Sequence, residues 1–114
     1  MIDEDGPIIV LITSPNTAEA KRIADALLGE RLAACVSTLP GVSSRYRWQG
    51  RLEDATEVLL IVKSHRPLLD AIIKRVKAMH SYDVPEIIAL PVVGGNEDYL
   101  KWLESETGGN TQTR

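Results

Sequence analysis

A chain of 114 residues, 44% hydrophobic and 25% charged, has room for one domain around one core and excludes two. With two Trp, three Tyr and no Phe, that core has to be built from Leu, Ile, Val and Ala. Thirteen Lys and Arg against sixteen Asp and Glu leave a formal net charge of −3, which supplies no field to attract nucleic-acid phosphates. The single cysteine, Cys35, excludes an intrachain disulfide framework and a cysteine-rich zinc finger, and suits a reducing compartment. Residues 1–7 form an acidic segment without the positive charge of a secretory signal, and Ile8 to Ile12 is too short a run to cross a membrane. The expectations are therefore a cytoplasmic protein with neither nucleic-acid nor membrane partners.

Ile8 to Thr13 is a continuous β-branched and aliphatic run closed by Ser14-Pro15-Asn16, the pattern of a strand buried on both faces. Asn16 and Glu19 have the spacing of a capping box, and Ala20, Ile23, Ala24, Leu27 and Leu28 recur with helical period, predicting a first helix to about Leu32. Two extended segments follow, Ala34 to Trp48, interrupted at Pro40-Gly41, and Arg51 to Lys63, joined at Gln49-Gly50 as a long hairpin. The hairpin tip carries Arg45, Arg47, Arg51, Glu53, Asp54 and Glu57, expected to be exposed and to pair across the strands. Ser64 is placed to cap a second helix with Pro67 in its first turn and Leu69, Ile72, Ile73 and Val76 on one stripe, ending near His80. Glu86 to Val93 reads as a fourth strand, and Asn96 leads into a short terminal helix with Glu97 and Asp98 in its first turn.

The order βαββαβ plus a terminal helix defines an α+β protein, a ferredoxin-like plait with a long β2-β3 hairpin and sheet order 4-1-3-2. Pro40 and Pro91 then fall on edge strands, where a missing N–H is tolerated. The domain is assigned to residues 8–106, with 107–114 as a flexible tail. A plait covers one sheet face with helices, yet strands one, three and four are apolar at consecutive positions. Their second face needs a cover that the chain does not encode, and another subunit is the simplest one.

Three groups of residues invite functional readings. Cys35 is either a small buried hydrophobe or a thiol acting with His80 or His65, and no third, orienting residue accompanies it. Lys63, Tyr82 and Glu86 either converge on a small-ligand cleft where subunits meet or form an ion pair with a satisfied tyrosine. Tyr46 and Trp48 share one side of their strand and read as subunit-interface residues, since strands one and three lack the aromatics of an RNA-binding plait. His65, beside Arg66 at a helix start, reads as solvent-facing.

Several separated motifs also resemble one family. They are Leu32-Ala33-Ala34-Cys35-Val36; Pro40-Gly41-Val42-Ser43-Ser44 with Tyr46, Trp48 and Gly50; Glu57-Val58 leading to Lys63-Ser64; and His80-Ser81-Tyr82-Asp83-Val84-Pro85-Glu86 with Leu90-Pro91 and Tyr99-Leu100-Lys101-Trp102. Together they resemble the CutA family of divalent-cation tolerance proteins from about Ile9 to Leu103. The resemblance implies a homotrimer with inward-facing sheets, similar to the PII-like signalling proteins. It also implies a connection with copper and other divalent metals, and no catalytic reaction. Copper-binding members carry a cysteine where Ile12 stands and a His-His pair where Met79-His80 stands, and the usual His-Pro-Tyr is His80-Ser81-Tyr82 here. Of those ligand positions only His80 keeps a metal-binding side chain, so the resemblance implies weak binding of Cu²⁺ or another divalent metal centred on His80. The competing reading is a structural or signalling trimer that holds a small ligand or partner protein in its clefts.

Overall fold

The computed structural model describes residues 4–107. Four strands and three helices follow one another as β1 (Pro7–Ser14), α1 (Thr17–Gly29), β2 (Cys35–Trp48), β3 (Arg51–His65), α2 (Leu69–Met79), β4 (Ile87–Pro91) and α3 (Glu97–Ser105). The sheet is antiparallel in the order β2-β3-β1-β4, which is the expected plait with both prolines on edge strands.

Local chemistry sets most of the element ends. The Asn16 side chain accepts the Glu19 N–H at 2.8 Å and starts α1. Asn96 does the same for α3 through the Asp98 N–H at 3.0 Å. Gln49 and Gly50 both have positive φ, 52° and 79°, the backbone that a two-residue hairpin turn requires. At Pro40-Gly41 the β2–β3 register shifts between Leu39 and Val42, with Gly41 at φ 77°. The chain inserts extra residues there because proline cannot donate to the ladder and glycine tolerates the left-handed backbone.

Three boundaries differ from the sequence expectation. Helix α1 stops at Gly29 rather than Leu32, because Arg31 turns left-handed (φ 58°) and the Leu32 N–H folds back onto the Leu27 carbonyl at 2.9 Å. Strand β4 is confined to Ile87–Pro91, since its only partner, β1, pairs with it from Ile8 to Ile12. Ser64 does not cap α2. It lies inside β3, fully buried, and donates to the Leu32 carbonyl at 2.6 Å, while α2 is entered through a single tight turn, Arg66–Leu68, with no side-chain cap.

The core lies between the sheet and helices α1 and α2. Ile8, Val10 and Ile12 of β1, Val58, Leu60 and Val62 of β3, Ile23 and Leu27 of α1, and Ile72 and Val76 of α2 are all buried there. The alternate residues form the opposite face in cross-strand rows: Leu90, Ile9, Lys63 and Cys35; Ile88, Leu11, Ile61 and Ser37; Thr13, Leu59 and Leu39. Neither α1 nor α2 covers these rows; α3 lies against β1 and β3, with Tyr99 near Cys35, and Leu39, Ile88 and Leu90 are 54%, 52% and 50% exposed. Burial along β1 alternates from Pro7 to Ile12, with the apolar Ile9 and Leu11 half-buried on the second face, and ends with Thr13 and Ser14 both buried. Strand β3, fifteen residues long, spans about 50 Å at about 3.3 Å per residue, matching the 49 Å longest dimension of the molecule. Its far end and that of β2 therefore project as an arm.

At the tail, Thr107 is buried and not part of a free segment. Its Oγ1 donates to the Leu103 carbonyl at 3.0 Å and lies 2.7 Å from His65 Nδ1. His65 is correspondingly half-buried rather than solvent-facing. The rest of the expected tail, 108–114, lies outside the described residues, as do positions 1–3. Replacing Ser64 by Ala is expected to cost about 1–2 kcal/mol by removing its buried bond. Urea denaturation followed by circular dichroism measures that loss, with the helical signal of the folded protein unchanged.

Candidate functional site

The connection between α2 and β4 is held by His80. Helix α2 ends at Met79, and His80 leaves it in an extended conformation with its ring turned inward. The side chain is 0% exposed. Nε2 donates to the Thr13 carbonyl at the end of β1, 2.7 Å away, because a carbonyl can only accept. Nδ1 accepts the Tyr82 N–H at 3.0 Å. Glu19, buried at the start of α1, accepts the Ser81 N–H at 3.0 Å and stands 3.3 Å from Nδ1. Its carboxylate thus fixes the neighbouring loop instead of closing the capping box with Asn16. One imidazole and one carboxylate tie the 80–82 segment to β1 and α1, and this segment presents Tyr82 to the arm.

Tyr82 donates its hydroxyl to Glu57 Oε2 at 2.8 Å, and its ring packs 4.8 Å from that of His80, centroid to centroid. Burial first, and then the bond to Glu57, push the Tyr82 hydroxyl far above its ordinary pKa of 10.0. Glu57 is itself only 6% exposed, contrary to the sequence expectation of an exposed hairpin acid. Of the cross-strand pairs expected at the tip, Arg45 and Asp54 form one, exposed and at 3.5 Å.

Around Glu57 and Tyr82 opens a cleft of about 550 Å³ lined also by Thr13, Tyr46, Trp48, Asp83 and Glu86. Tyr46 and Trp48, 42% and 44% exposed, form its aromatic wall on β2. Tyr82 and Glu86 line this cleft, and Lys63 of the same chain does not. Lys63 lies at the other end of β3, opposite Cys35, and its Nζ donates to Ser37 Oγ at 2.6 Å and contacts Cys35 Sγ at 3.7 Å. Cys35 thereby has Lys63 as its neighbour and is separated from His80, which is anchored beside Thr13; Thr13 pairs with Leu59, four residues along β3 from Lys63. The alternative reading of a Cys35 thiol acting with His80 is therefore not assembled within one chain.

Sequence reasoning missed Glu57, Glu19 and Thr13. For Glu57 the signal was present, because the period of two that puts Leu59, Ile61 and Lys63 on the uncovered face continues to Glu57.

As a metal ligand His80 is poorly placed. Both ring nitrogens already have partners and the ring has no exposure. Among the described residues no group of three His, Cys, Asp or Glu side chains is arranged to hold a metal ion. The donor set of one chain does not fit a preformed divalent-metal centre.

A ferredoxin-like plait with a projecting β2-β3 arm and a cleft at its base defines the class. Residues 8–106 match the family described as CutA1 divalent ion tolerance protein, and the chain belongs to that family. It is 51% identical over 100 residues to the divalent-cation tolerance protein CutA of Thermus thermophilus, covering 88% of this chain and 97% of that one. It is 50% identical over 100 residues to the chloroplastic protein CutA 1 of rice, covering 88% of this chain and 56% of the rice protein; the chain spans about half the length of the plant relatives it matches. The Thermus structure superimposes with a TM-score of 0.88 at 50% identity, covering 90% and 99% of the two chains, and the rice CutA1 crystal structure with 0.89 at 47%, covering 94% and 98%. Among the described residues no helix is long and apolar enough to cross a membrane. Relatives are named chloroplastic and one solved structure periplasmic, so membership of the family does not fix a compartment.

Replacing Tyr82 by Phe leaves the Glu57 carboxylate buried without its hydrogen bond and is expected to cost about 2 kcal/mol. The raised pKa also fixes a pH dependence. The folded state holds the Tyr82 proton more tightly than the unfolded chain, so its contribution is complete below about pH 10 and is lost as pH rises above that value. Urea midpoints between pH 8 and 11 are expected to fall more steeply for the wild type than for Tyr82→Phe.

Proposed function

We propose that this protein acts in divalent-cation tolerance as a homotrimer, and that it captures copper or another divalent metal only weakly. Family membership across residues 8–106 carries the reading, and relatives at 46–51% identity bear the name divalent-cation tolerance protein CutA. The uncovered apolar rows on β1, β3 and β4 support assembly, because a patch of this kind is removed from water by another copy of the same face. Tyr46 and Trp48 extend that surface onto the arm and anchor it to a neighbour, as large aromatics do at interface centres. No catalytic role is proposed.

Weak capture follows from the environment of His80. A metal ion reaching Nε2 or Nδ1 displaces a bond to Thr13 or Tyr82 and opens a buried ring, which costs the energy that a preformed site would retain for binding. The metal is cargo in this reading, and the cytoplasm is the expected setting.

Calorimetric titration of Cu²⁺ at neutral pH into the wild type and His80→Ala tests the metal part. Weak binding that His80→Ala abolishes is expected. Equal binding by both proteins removes His80 from the site, and absence of binding by both means that tolerance does not operate through copper capture. Trp48→Ala is expected to weaken assembly by about 2 kcal/mol or more, read as dissociation on dilution; an oligomer that resists dilution as the wild type does contradicts the anchor.

A further inference from the structure

Among the described residues, two charges on this face of the sheet have no opposite charge within ion-pair distance. Glu57 is a buried carboxylate whose side chain takes one hydrogen bond, from the neutral Tyr82 hydroxyl to Oε2. Among the described residues no Lys, Arg or His stands within ion-pair distance of it. Lys63 is the converse case. Apart from Arg75, which pairs with Glu30 at 2.7 Å, it is the only half-buried Lys or Arg among the described residues, every other one being exposed. Its ammonium meets only Ser37 Oγ and Cys35 Sγ. A buried carboxylate without a counter-charge is costly, and Lys63, a half-buried residue whose ammonium makes a solvent-exposed bond to Ser37, stays available to a carboxylate from another chain.

They cannot neutralise one another within one chain. Both project from the same face of β3, but six residues apart, which is about 20 Å along a strand and beyond the reach of a lysine. Between them run the apolar residues Leu59 and Ile61. The face therefore carries an acidic end in the aromatic cleft, where Glu57, Asp83 and Glu86 outnumber Arg45, itself paired with Asp54, and a positive end beside Cys35, separated by a hydrophobic middle. Such a surface complements a second copy of itself laid head to tail, a contact that forms a ring where its rotation closes, as in the proposed trimer.

We infer that Lys63 of a neighbouring copy enters the cleft and pairs with Glu57, completing a site that one chain holds only in part. This rests on the trimer reading and adds to it the residue each subunit contributes. Tyr82 occupies Oε2, so the second carboxylate oxygen is left for the incoming ammonium, and Tyr46 and Trp48 supply the walls that exclude water from the pair. The same contact reunites Lys63 with Tyr82 and Glu86 and fixes the orientation of neighbouring subunits, since like charges meet if one copy is reversed.

Dissociation on dilution of the full chain, followed by light scattering, tests the pairing with Lys63→Met, Glu57→Gln, the double variant and Lys63→Arg, each checked for wild-type circular dichroism. Each single charge removal is expected to raise the dissociation concentration by about 30-fold or more. The double variant is expected to lose much less than the two single losses combined, and Lys63→Arg to stay near the wild type. A wild-type oligomer with Lys63→Met dissociating as the wild type does, or with single losses that simply add, overturns the pairing while leaving the trimer reading intact. A wild type that remains monomeric overturns the trimer reading and the pairing with it.

Discussion

The sheet has two faces: α1 and α2 cover one of them, and on the other the chain supplies only α3, which lies against β1 and β3 near Cys35. Everything distinctive about the molecule follows from that one-sided cover. Val10, Ile12, Leu60 and Val62 are sealed by α1 and α2, whereas Ile9, Leu11, Leu59 and Ile61 on the reverse of the same strands lie outside that core and are only half-buried. Apolar surface left in water costs about 25 cal/mol per Å², and strands that are apolar on both sides cannot be relieved by a register slip, since either face is equally hydrophobic. In the proposed assembly a further copy removes that cost, and the projecting arm and the aromatic wall at its base belong to the same surface.

His80 has a structural task within this scheme. It stands where α2 has ended and the chain must cross to β4, and it satisfies a carbonyl of β1 and an N–H of its own loop at once. Glu19 holds the same loop from α1. A neutral imidazole with both nitrogens engaged is what an imidazole does when it organises a loop. The side chain most reminiscent of a metal ligand is thereby the one that positions Tyr82 over Glu57. In this chain, with Ile12 and Met79 at its flanks, the His80 environment favours the hydrogen-bonded role over coordination.

Much of the fold was legible in the sequence because it rests on short-range chemistry. Asn16 sits three residues before Glu19, Gln49-Gly50 has the residues of a tight turn, and Pro40 and Pro91 can stand only on edges. Misreadings arose where a distant partner decides. Ser64 has the composition of a cap, yet the Leu32 carbonyl, thirty-two residues away in the chain, claims its hydroxyl. His65 looked exposed until Thr107 folded onto it. Glu57 lies among the charged residues of a hairpin tip, but the strand period and Tyr82 draw it into the cleft. The candidate site was legible as a set of residue types, while its division between the two ends of β3 depends on register, which no local pattern records.

The central claim is that one chain is an incomplete unit whose second sheet face is closed by further copies. Sedimentation equilibrium of the purified protein at micromolar concentration measures this directly. The account predicts a mass about three times that of the 12.5 kDa chain, whereas a single species of one chain's mass would contradict it.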